Sequence, residues 1–536
     1  MAQNTQASTT SSLANAFKAE STRRQALTIG GMGLGALLMA ACGAGSSGSP
    51  SPAQSGGKPK KGGTLRLAIG DASSSDSLDP SHPISASTVI VTGAVFDQLV
   101  TLDPDWKAQP ALATSWSANP DATRWTIRLR EGVKWHDGSA FTSKDVLHSI
   151  SRWLDPKVGS QVTAFLAPYL AKSGVSAPDD STVVLSLKQP NSVLMQTLAN
   201  LPGSVITKAG VTDFTLKTIT GTGPFKLTEW TPGGSWKVVR NDAYWGGAPY
   251  LDGIQVTITP DSGAKLQAAL SGSTDLTDPI PISLWAGLKG RDGVVLETVP
   301  NRNSWIFAFD QQKAPFNDPR VLEAIKLATD RDKLVQTALL GHGTAIADVP
   351  LNPKTSWYPK GLTPEFDMGR AKTLLADAGF PDGLDIKLSV SDAVPGMVDV
   401  AQVWQQLVKE AGIKVTLNQL PADTYWTKGW MASPAFMDYW TDFFPTVGFD
   451  AFYGKDASWN ETGFDDPKLN SIVDELLSST NASKQIELTQ QAYLQARKTF
   501  GYLIPVISDA AYARAPRVNG VVMTVGSFDF RKAWLA

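Results

Sequence analysis

The thiol of Cys42 is the sole cysteine side chain among 536 residues, and it lies where an export signal would be cut. It directly follows Ala40 and Ala41, at the end of a glycine-broken apolar run from Ile29 to Met39. A basic segment, an apolar segment and small residues, in that order, are the pattern of a signal peptide. The run is shorter than the ~20 residues that cross a bilayer. We therefore expect cleavage before Cys42 and diacylation of its thiol.

The residues around this cysteine predict where the mature protein resides. Arg23 and Arg24 resemble the pair of a twin-arginine export signal, and residues 39–42 resemble a lipobox in which Met39 replaces the usual Leu. Residues 43–61 contain no large apolar side chain and predict a flexible tether. Because two or more acyl chains hold a protein stably at a membrane, we expect a lipid-anchored protein outside the cytoplasm, in the periplasm or on the cell surface.

Residue patterns that would support catalysis are missing from the sequence. It contains no HExxH, P-loop or GxSxG motif, and the histidines are scattered without the spacing of metal ligands: His82, His136, His148 and His342. The 48 basic and 50 acidic residues give a net charge of −2, which provides no electrostatic footprint for nucleic acid. We therefore expect a binding protein with no metal and no cofactor, rather than an enzyme. A secreted lipoprotein hydrolase is the alternative from another class.

Hydrophobic periodicity predicts mixed α and β structure from residue 62 onward. Thr142 to Asp145 is a capping box before a helix, and Asp318-Pro319 begins another. A strand at 384–390, a helix through Trp404 and a strand from Ile413 predict a βαβ crossover, with Gly412 ending the helix. With no second cysteine, internal disulfides are excluded, so the fold depends on its apolar cores.

The segment from Leu112 to Val146 resembles the signature of family 5 extracellular solute-binding proteins of ABC importers, the oligopeptide, dipeptide and nickel-binding group. It contains the run Trp125 to Gly138, with the sequence WTIRLREGVKWHDG. Further segments that resemble the family are Leu78-Asp79-Pro80, Phe96 to Val100, Gly221 to Phe225, Asn241 to Trp245, Pro315 to Arg331, Gly341 to Gly343, Ala371 to Gly379 and Asn460 to Phe464. The resemblance thus covers nearly the whole chain after residue 61.

The resemblance implies an α/β, two-lobed periplasmic-binding-protein-like fold, joined by two crossing strands, with an extra domain inserted in the first lobe. Its boundaries are expected as follows: export signal, 1–41; lipid-anchored tether, 42–61; lobe I, 62–95 plus 221–300 plus 506–536; inserted domain, 96–220; lobe II, 301–505. A ligand would bind in the cleft between the lobes. The implied partners are a small solute and the subunits of an ABC permease, and we expect a monomer.

The stretch Tyr439 to Pro445 resembles the family's segment of Trp, a small residue, Asp, an aromatic residue and Asp-Pro. There the resemblance implies that Asp442 binds the α-ammonium of a peptide. The spacing from Trp440 is one residue short, and an alternative register places Tyr439 at the Trp position. Asp442, Trp440, Tyr439 and Trp426 are the candidate ligand-binding residues.

A peptide is the favoured ligand class, and two alternatives remain open. An oligosaccharide would stack on Trp426, Trp430 or Trp440, although core packing is the favoured explanation for any one of these rings. A receptor that signals without transport is compatible with the same sequence.

Overall fold

A computed structural model describes residues 57–103, 106–441, 443–454, 457, 459–524 and 527–536. Arg23, Arg24, Cys42 and Asp442 therefore lie outside the described residues. None of the helices within these ranges is long and apolar enough to cross a membrane.

The strands, in chain order, are β1 (Thr64–Ile69), β2 (Val100–Leu102), β3 (Ala108–Pro110), β4 (Ala113–Ala118), β5 (Arg124–Leu129), β6 (Val175–Asp179), β7 (Thr182–Ser186), β8 (Phe225–Trp230), β9 (Trp236–Arg240), β10 (Gly253–Ile258), β11 (Leu276–Thr277), β12 (Val295–Phe309), β13 (Gly343–Ala345), β14 (Leu384–Val390), β15 (Ile413–Gln419), β16 (Ala435–Thr441), β17 (Tyr502–Arg514), β18 (Val518–Asn519), β19 (Val522–Thr524), β20 (Ser527–Asp529) and β21 (Trp534–Leu535).

The α-helices are α1 (Ala86–Val95), α2 (Ser143–Trp153), α3 (Thr163–Leu166), α4 (Leu194–Asn200), α5 (Ser262–Leu270), α6 (Pro319–Leu327), α7 (Arg331–Ala338), α8 (Met368–Asp377), α9 (Met397–Val408), α10 (Ala422–Lys428), α11 (Pro467–Ser478) and α12 (Ala482–Thr499).

Two long strands, β12 and β17, connect the two halves of the molecule. The main sheet has the order β15-β14-β16-β12-β17-β11-β1-β10-β9-β8, with β13 beside β17. β12 and β17 pair from Val295 and Arg514 at one end to Ala308 and Tyr502 at the other. One end of this pair adjoins the sheet of lobe I (β1 and β8–β11), and the other adjoins the sheet of lobe II (β13–β16). The predicted α/β fold with two lobes and two crossing strands is confirmed.

The crossing strands change register between Val299 and Asn303, where β12 bulges. Asn301 lies at the bulge with a φ of 55°, in the left-handed region that Asn tolerates better than most residues. Its backbone N–H donates to the Oδ1 atom of Asp509 on β17 at 2.9 Å, and its side chain bonds to Asn352 and Thr344. These bonds hold the irregular backbone in place in the strand that connects the two lobes.

A four-stranded antiparallel sheet of order β4-β5-β7-β6 forms the centre of the inserted domain. Helix α2 packs beside it and buries Val146, Ile150 and Trp153. The predicted start of this helix is confirmed: the Asp145 carboxylate accepts a hydrogen bond from the Thr142 backbone N–H at 2.8 Å.

Asp97 and Gly221 lie at the two ends of the segment that the sequence predicts to be the inserted domain. The Asp97 carboxylate accepts hydrogen bonds from the hydroxyls of Thr222 and Tyr244 and from the indole of Trp245, at 2.8 to 3.0 Å. A Cβ at Gly221 would lie 1.8 Å from the Val95 carbonyl oxygen, so only glycine fits there. The chain near Asp97 and the chain near Gly221 are therefore in direct contact, through hydrogen bonds and close backbone packing.

The predicted βαβ unit of lobe II is also confirmed. β14 and β15 pair in parallel from Leu384 and Ile413 onward, α9 connects them, and Gly412 has a left-handed φ of 84° where the helical segment ends. Helix α6 begins as predicted, with the Asp318 side chain as its N-cap and Pro319 in its first turn.

Candidate ligand-binding cleft

One side of β16 has no strand partner over most of its length in the described part of the chain. Towards β12, the strand is paired continuously from Ala435 to Thr441. Towards β14, the pairing is limited to Phe436 with Ser389. The segment from Met437 to Thr441 therefore presents its outer edge to side chains rather than to another strand.

Two side chains bind the backbone at this outer edge. The Tyr425 hydroxyl donates to the Met437 carbonyl, and the Asp438 carboxylate accepts a hydrogen bond from the Tyr439 N–H. Tyr425 comes from α10, so that helix lies against the edge of β16.

The position of this edge within the fold agrees with a ligand cleft. β14 and β16 run parallel, so their carboxyl ends meet at one edge of the sheet, where open α/β sheets bind ligands. Thr441, at the carboxyl end of β16, pairs with Asn303, which is two residues from the bulge at Asn301. The carboxyl end of β16 thus lies beside the bulge of the crossing strand β12.

Tyr439 and Trp440 are brought to this strand but lie on opposite faces of the sheet, because successive strand residues alternate. Trp440 is only 2% exposed, and its ring stacks on Phe452 with centroids 4.0 Å apart. Its indole N–H donates to the Oδ2 atom of Asp438 at 3.2 Å. Tyr439 is partly exposed, and its ring lies 6.4 Å from that of Trp305 across the strand pair.

Trp426 lies on α10, beside the residue that contacts β16. Its ring centroid is 4.9 Å from that of Tyr425 and 6.2 Å from that of Trp430. The Trp430 indole donates to the Oε1 atom of Glu461 at 2.6 Å. Trp426 and Trp430 are 8% and 7% exposed, so these rings form a packed wall of lobe II next to the outer edge of β16.

Asp438 is a buried acid at this strand that was not among the candidates from the sequence. It is fully buried, and it bonds both the Tyr439 backbone and the Trp440 indole. A signal was present in the sequence, since an acidic residue interrupts the otherwise apolar run from Ala435 to Trp440.

The inserted domain also contacts this region. The side-chain oxygen of Asn200 accepts a hydrogen bond from the Phe444 N–H at 2.8 Å. The Phe444 ring lies between Trp106 of the inserted domain and Trp357 of lobe II, at centroid distances of 6.3 and 5.6 Å. Nothing in the local sequence indicates this contact, because its partners are more than two hundred residues apart.

The described residues contain no cluster of three or more His, Cys, Asp or Glu side chains that could hold a metal ion. The histidines are separated and engaged locally. His136 and His148 bond the carbonyls of Gly223 and Val211, His342 packs 4.6 Å from Trp285, and His82 lies 3.9 Å from the Asp79 carboxylate.

The profile of bacterial extracellular solute-binding proteins, family 5 Middle, matches residues 107–460. The chain belongs to this family. Its members bind solutes outside the cytoplasm, so this family 5 protein is an extracytoplasmic binding protein of the ABC type rather than an enzyme. The resemblance derived from the sequence is thereby confirmed.

Relatives of the chain agree with this assignment. The glutathione-binding protein GsiB of Pectobacterium atrosepticum is 29% identical over 362 residues, which cover 66% of this chain and 69% of that protein. A solved structure of the periplasmic binding protein DppA from Helicobacter pylori, in complex with the peptide STSA, superposes with a TM-score of 0.77 at 23% identity, covering 89% and 98% of the two chains. The binding protein AgaA from A. tumefaciens R10, in complex with agropinic acid, gives a TM-score of 0.73 at 26% identity, covering 85% and 94%.

Proposed function

We propose that this family 5 protein is a lipid-anchored receptor that captures a peptide-like solute between its lobes and delivers it to an ABC permease. The observation that carries the proposal is the outer edge of β16, which lacks a strand partner from Met437 to Thr441 among the described residues. An extended peptide is the ligand that such an edge fits best, because its main chain pairs with the strand while alternate side chains enter pockets.

Asp442 would bind the amino end of that peptide. It directly follows Thr441, the last residue of β16, and it lies outside the described residues. An ammonium group held by a carboxylate forms a charge-assisted hydrogen bond, roughly twice as strong as a neutral one. A relative that binds glutathione, itself a tripeptide, supports the same ligand class.

An oligosaccharide has less support in this structure. A ring that stacks on a sugar needs an exposed face, yet one face of Trp440 is covered by Phe452, and Trp426 and Trp430 pack edge to face. These tryptophans are better explained as core residues of lobe II.

The test of ligand class combines a screen with one variant. A thermal-shift screen with tripeptides, glutathione, oligosaccharides and metal chelates selects the class that raises the melting temperature. Calorimetry then compares the wild type with Asp442→Ala. Removing one partner of a buried ion pair costs about 3–5 kcal/mol, so we expect peptide affinity to fall at least ~100-fold. N-acetylation of the peptide should weaken binding to the wild type similarly and add little to the effect of the variant. Unchanged affinity of Asp442→Ala would contradict its role.

The lipid anchor is tested separately. Cys42→Ala should abolish incorporation of labelled fatty acid, because the acyl acceptor is lost; continued labelling would contradict the assignment. Replacing Arg23 and Arg24 together with Lys should block export if the twin-arginine route is used, and normal export would indicate the general secretory route.

A further inference from the structure

The residues that lead into β1 pack against strand β21. A Cβ atom at Gly57 would lie 3.0 Å from the Cη2 atom of Trp534, and a Cβ atom at Gly63 would lie 2.9 Å from the Cδ1 atom of Leu535. Trp534 and Leu535 form β21, which pairs with β18. The chain before β1 is therefore held against the folded part of lobe I.

Backbone hydrogen bonds hold the same segment on its other side. The Gly62 N–H donates to the Tyr250 carbonyl at 2.7 Å, and the Gly63 N–H donates to the Oδ2 atom of Asp252 at 2.8 Å. The Asp252 N–H donates in turn to the Gly63 carbonyl at 2.9 Å. Together these contacts define one surface, which we call the base: residues 57–63, 250–253 and 532–536.

The base lies at the amino end of the lobe I sheet. β1 pairs in parallel with β10 from Thr64 and Gly253 to Ile69 and Ile258, and β11 runs parallel to β1 on its other side. Open α/β sheets bind ligands at the carboxyl ends of their strands. A six-residue strand separates its two ends by about 17 Å. The base is therefore on the opposite edge of the sheet from the expected ligand-binding edge of lobe I.

The side chains of the base carry an excess of positive charge. Its exposed basic residues are Lys58, Lys60, Lys61 and Lys532. Asp252 is the acidic side chain within the same three stretches of sequence, and its Oδ1 atom lies 2.8 Å from the guanidinium of Arg240. The whole chain has a net charge of −2, so the positive charge of the base is local rather than general.

We propose that the base binds the anionic headgroups of a phospholipid bilayer, so that the ligand-binding edge of lobe I faces away from the lipid while the protein awaits its solute. The proposal rests on the proposed function for the lipid anchor at Cys42. Fifteen residue steps from Cys42 to Gly57 span at most about 54 Å, so the anchor keeps the base close to the membrane. The same length allows the molecule to turn when it delivers its solute.

The energetic basis is the attraction of a basic cluster to an anionic surface. Each lysine within a Debye length of such a surface strengthens binding about fivefold. Three of the four lysines lie within four residues of one another, at the point where the anchored chain enters the fold. The anchor supplies the proximity, and the lysines select which face of the protein meets the lipid.

Vesicle partition tests the base without any acyl chain or solute. The protein is the mature chain from residue 42 carrying Cys42→Ser, because the apolar run before it would itself bind lipid. Vesicles of phosphatidylglycerol with phosphatidylcholine are used at about 10 mM ionic strength, where the Debye length is about 30 Å. Replacing Lys58, Lys60 and Lys61 with Gln should lower partition about 100-fold. Equal partition of the two proteins would overturn the proposal.

A matched variant separates the base from net charge. Lys387, Lys409 and Lys414 are three exposed lysines of lobe II, and replacing them with Gln removes the same charge elsewhere. This control should retain wild-type partition, and a loss as large as that of the base variant would overturn the proposal. Equal partition of the wild type into vesicles of phosphatidylcholine alone would do the same.

Orientation is measured on the acylated protein, in which an introduced cysteine is the free thiol. A fluorophore on Ala536→Cys, in the base, should be quenched by lipids with nitroxide headgroups in the anionic vesicles. A fluorophore on Ala264→Cys, an exposed position in the first turn of α5 beyond the carboxyl end of β10, should keep its fluorescence. Equal quenching at the two positions would overturn the proposal.

The lysine variant distinguishes the base from the tether alone. Replacing Lys58, Lys60 and Lys61 with Gln in both labelled proteins should abolish the difference in quenching. A difference that survives this change would overturn the proposal, because the tether would then explain the orientation. Absence of an acyl group on Cys42 would contradict the proposed lipid anchor, and the partition of the unacylated chain would still decide whether the base binds anionic lipid.

Discussion

The side-chain oxygen of Asn200 in the inserted domain accepts the backbone N–H of Phe444 in lobe II at 2.8 Å, and both residues are 1% exposed. Two segments 244 residues apart in the chain are thereby joined beside the candidate ligand anchor. Because the bond crosses from one body of the protein to another, it exists only while those bodies are together. This relationship leads to the first prediction.

Asn200→Ala should weaken binding of a peptide probe by about tenfold, because bringing the inserted domain and lobe II together around the probe would leave the Phe444 N–H buried without an acceptor, at a cost of about 1–3 kcal/mol. Calorimetry measures the effect. Asn119→Ala is the matched control: the Asn119 side-chain oxygen accepts the Arg124 N–H at 2.8 Å within the inserted domain, away from the contact between Asn200 and Phe444. That variant should lower stability but leave probe affinity unchanged. Equal losses of affinity in both variants would contradict a specific role for Asn200.

The contact between the inserted domain and lobe II should also respond to pH through Asp450. Its carboxylate accepts a hydrogen bond from the Tyr169 hydroxyl at 2.8 Å, and burial raises its pKa to about 6. The nearby Asp474 adds negative charge at Tyr169 and supplies no cation. A raised pKa in the folded state gives a contribution to stability that is present below the unfolded pKa of 3.8 and is lost as the pH rises through about 6.

Asp450→Asn keeps an acceptor for Tyr169 and removes the ionisation. The unfolding free energy of the wild type, relative to this variant, should therefore fall by up to about 3 kcal/mol between pH 4 and pH 7. Denaturant unfolding at a series of pH values measures the difference. Parallel pH profiles for the two proteins would contradict the assignment.

Much of the local structure of lobe II and of the inserted domain was predictable from sequence patterns. The strands at 384–390 and 413–419, and the helix between them, follow from apolar periodicity and from Gly412, and the starts of α2 and α6 follow from their caps. Sequence patterns of this kind reflect the preference of each residue for a local backbone conformation, and that preference is enough to place these helices and strands.

Less of the candidate site could be predicted from the sequence. The apolar and aromatic residues of β16 predict a strand but not that β14 pairs with it at one point only, leaving the outer edge without a strand in the described part of the chain. The aromatic spacing selected Trp440 and Tyr439 together, whereas strand alternation places them on opposite faces. Ser192, Asn200 and Tyr169 carry no local signal, because the loops and short helix that hold them acquire their partners only when the inserted domain meets lobe II.

His136 gives a pH dependence of the opposite sign. Its Nδ1 atom accepts the Gly221 N–H at 3.2 Å and its Nε2 atom bonds the Gly223 carbonyl at 3.0 Å, an arrangement that requires the neutral ring. Burial lowers its pKa to about 4. The contribution to stability is therefore complete above pH 6.5 and is lost as the pH falls through about 4.

We expect the unfolding free energy of the wild type to fall by up to about 3 kcal/mol from pH 6.5 to pH 4, relative to His136→Gln, whose amide keeps a donor and an acceptor but does not titrate. Chemical denaturation across this range measures the effect. His148→Gln serves as the control, since His148 bonds a single carbonyl, that of Val211. A wild-type profile that matches that of His136→Gln would contradict the neutral-ring assignment.

The bulge at Asn301 makes a prediction that separates backbone strain from side-chain bonding. With a φ of 55°, the residue occupies a region that costs most L-residues roughly 1–2 kcal/mol and glycine almost nothing. Its side chain also bonds Asn352 at 3.3 Å and Thr344 at 2.8 Å.

Asn301→Gly loses only the side-chain bonds, whereas Asn301→Ala loses them and adds strain. We therefore expect both variants to be less stable than the wild type and Asn301→Ala to be less stable than Asn301→Gly by about 1 kcal/mol, measured by denaturant unfolding. Because the backbone N–H donates to Asp509 in every variant, Asp509→Ala should lower stability in the glycine variant as much as in the wild type. Equal stability of the alanine and glycine variants would show that the left-handed backbone at the crossing is not retained when the side chain changes.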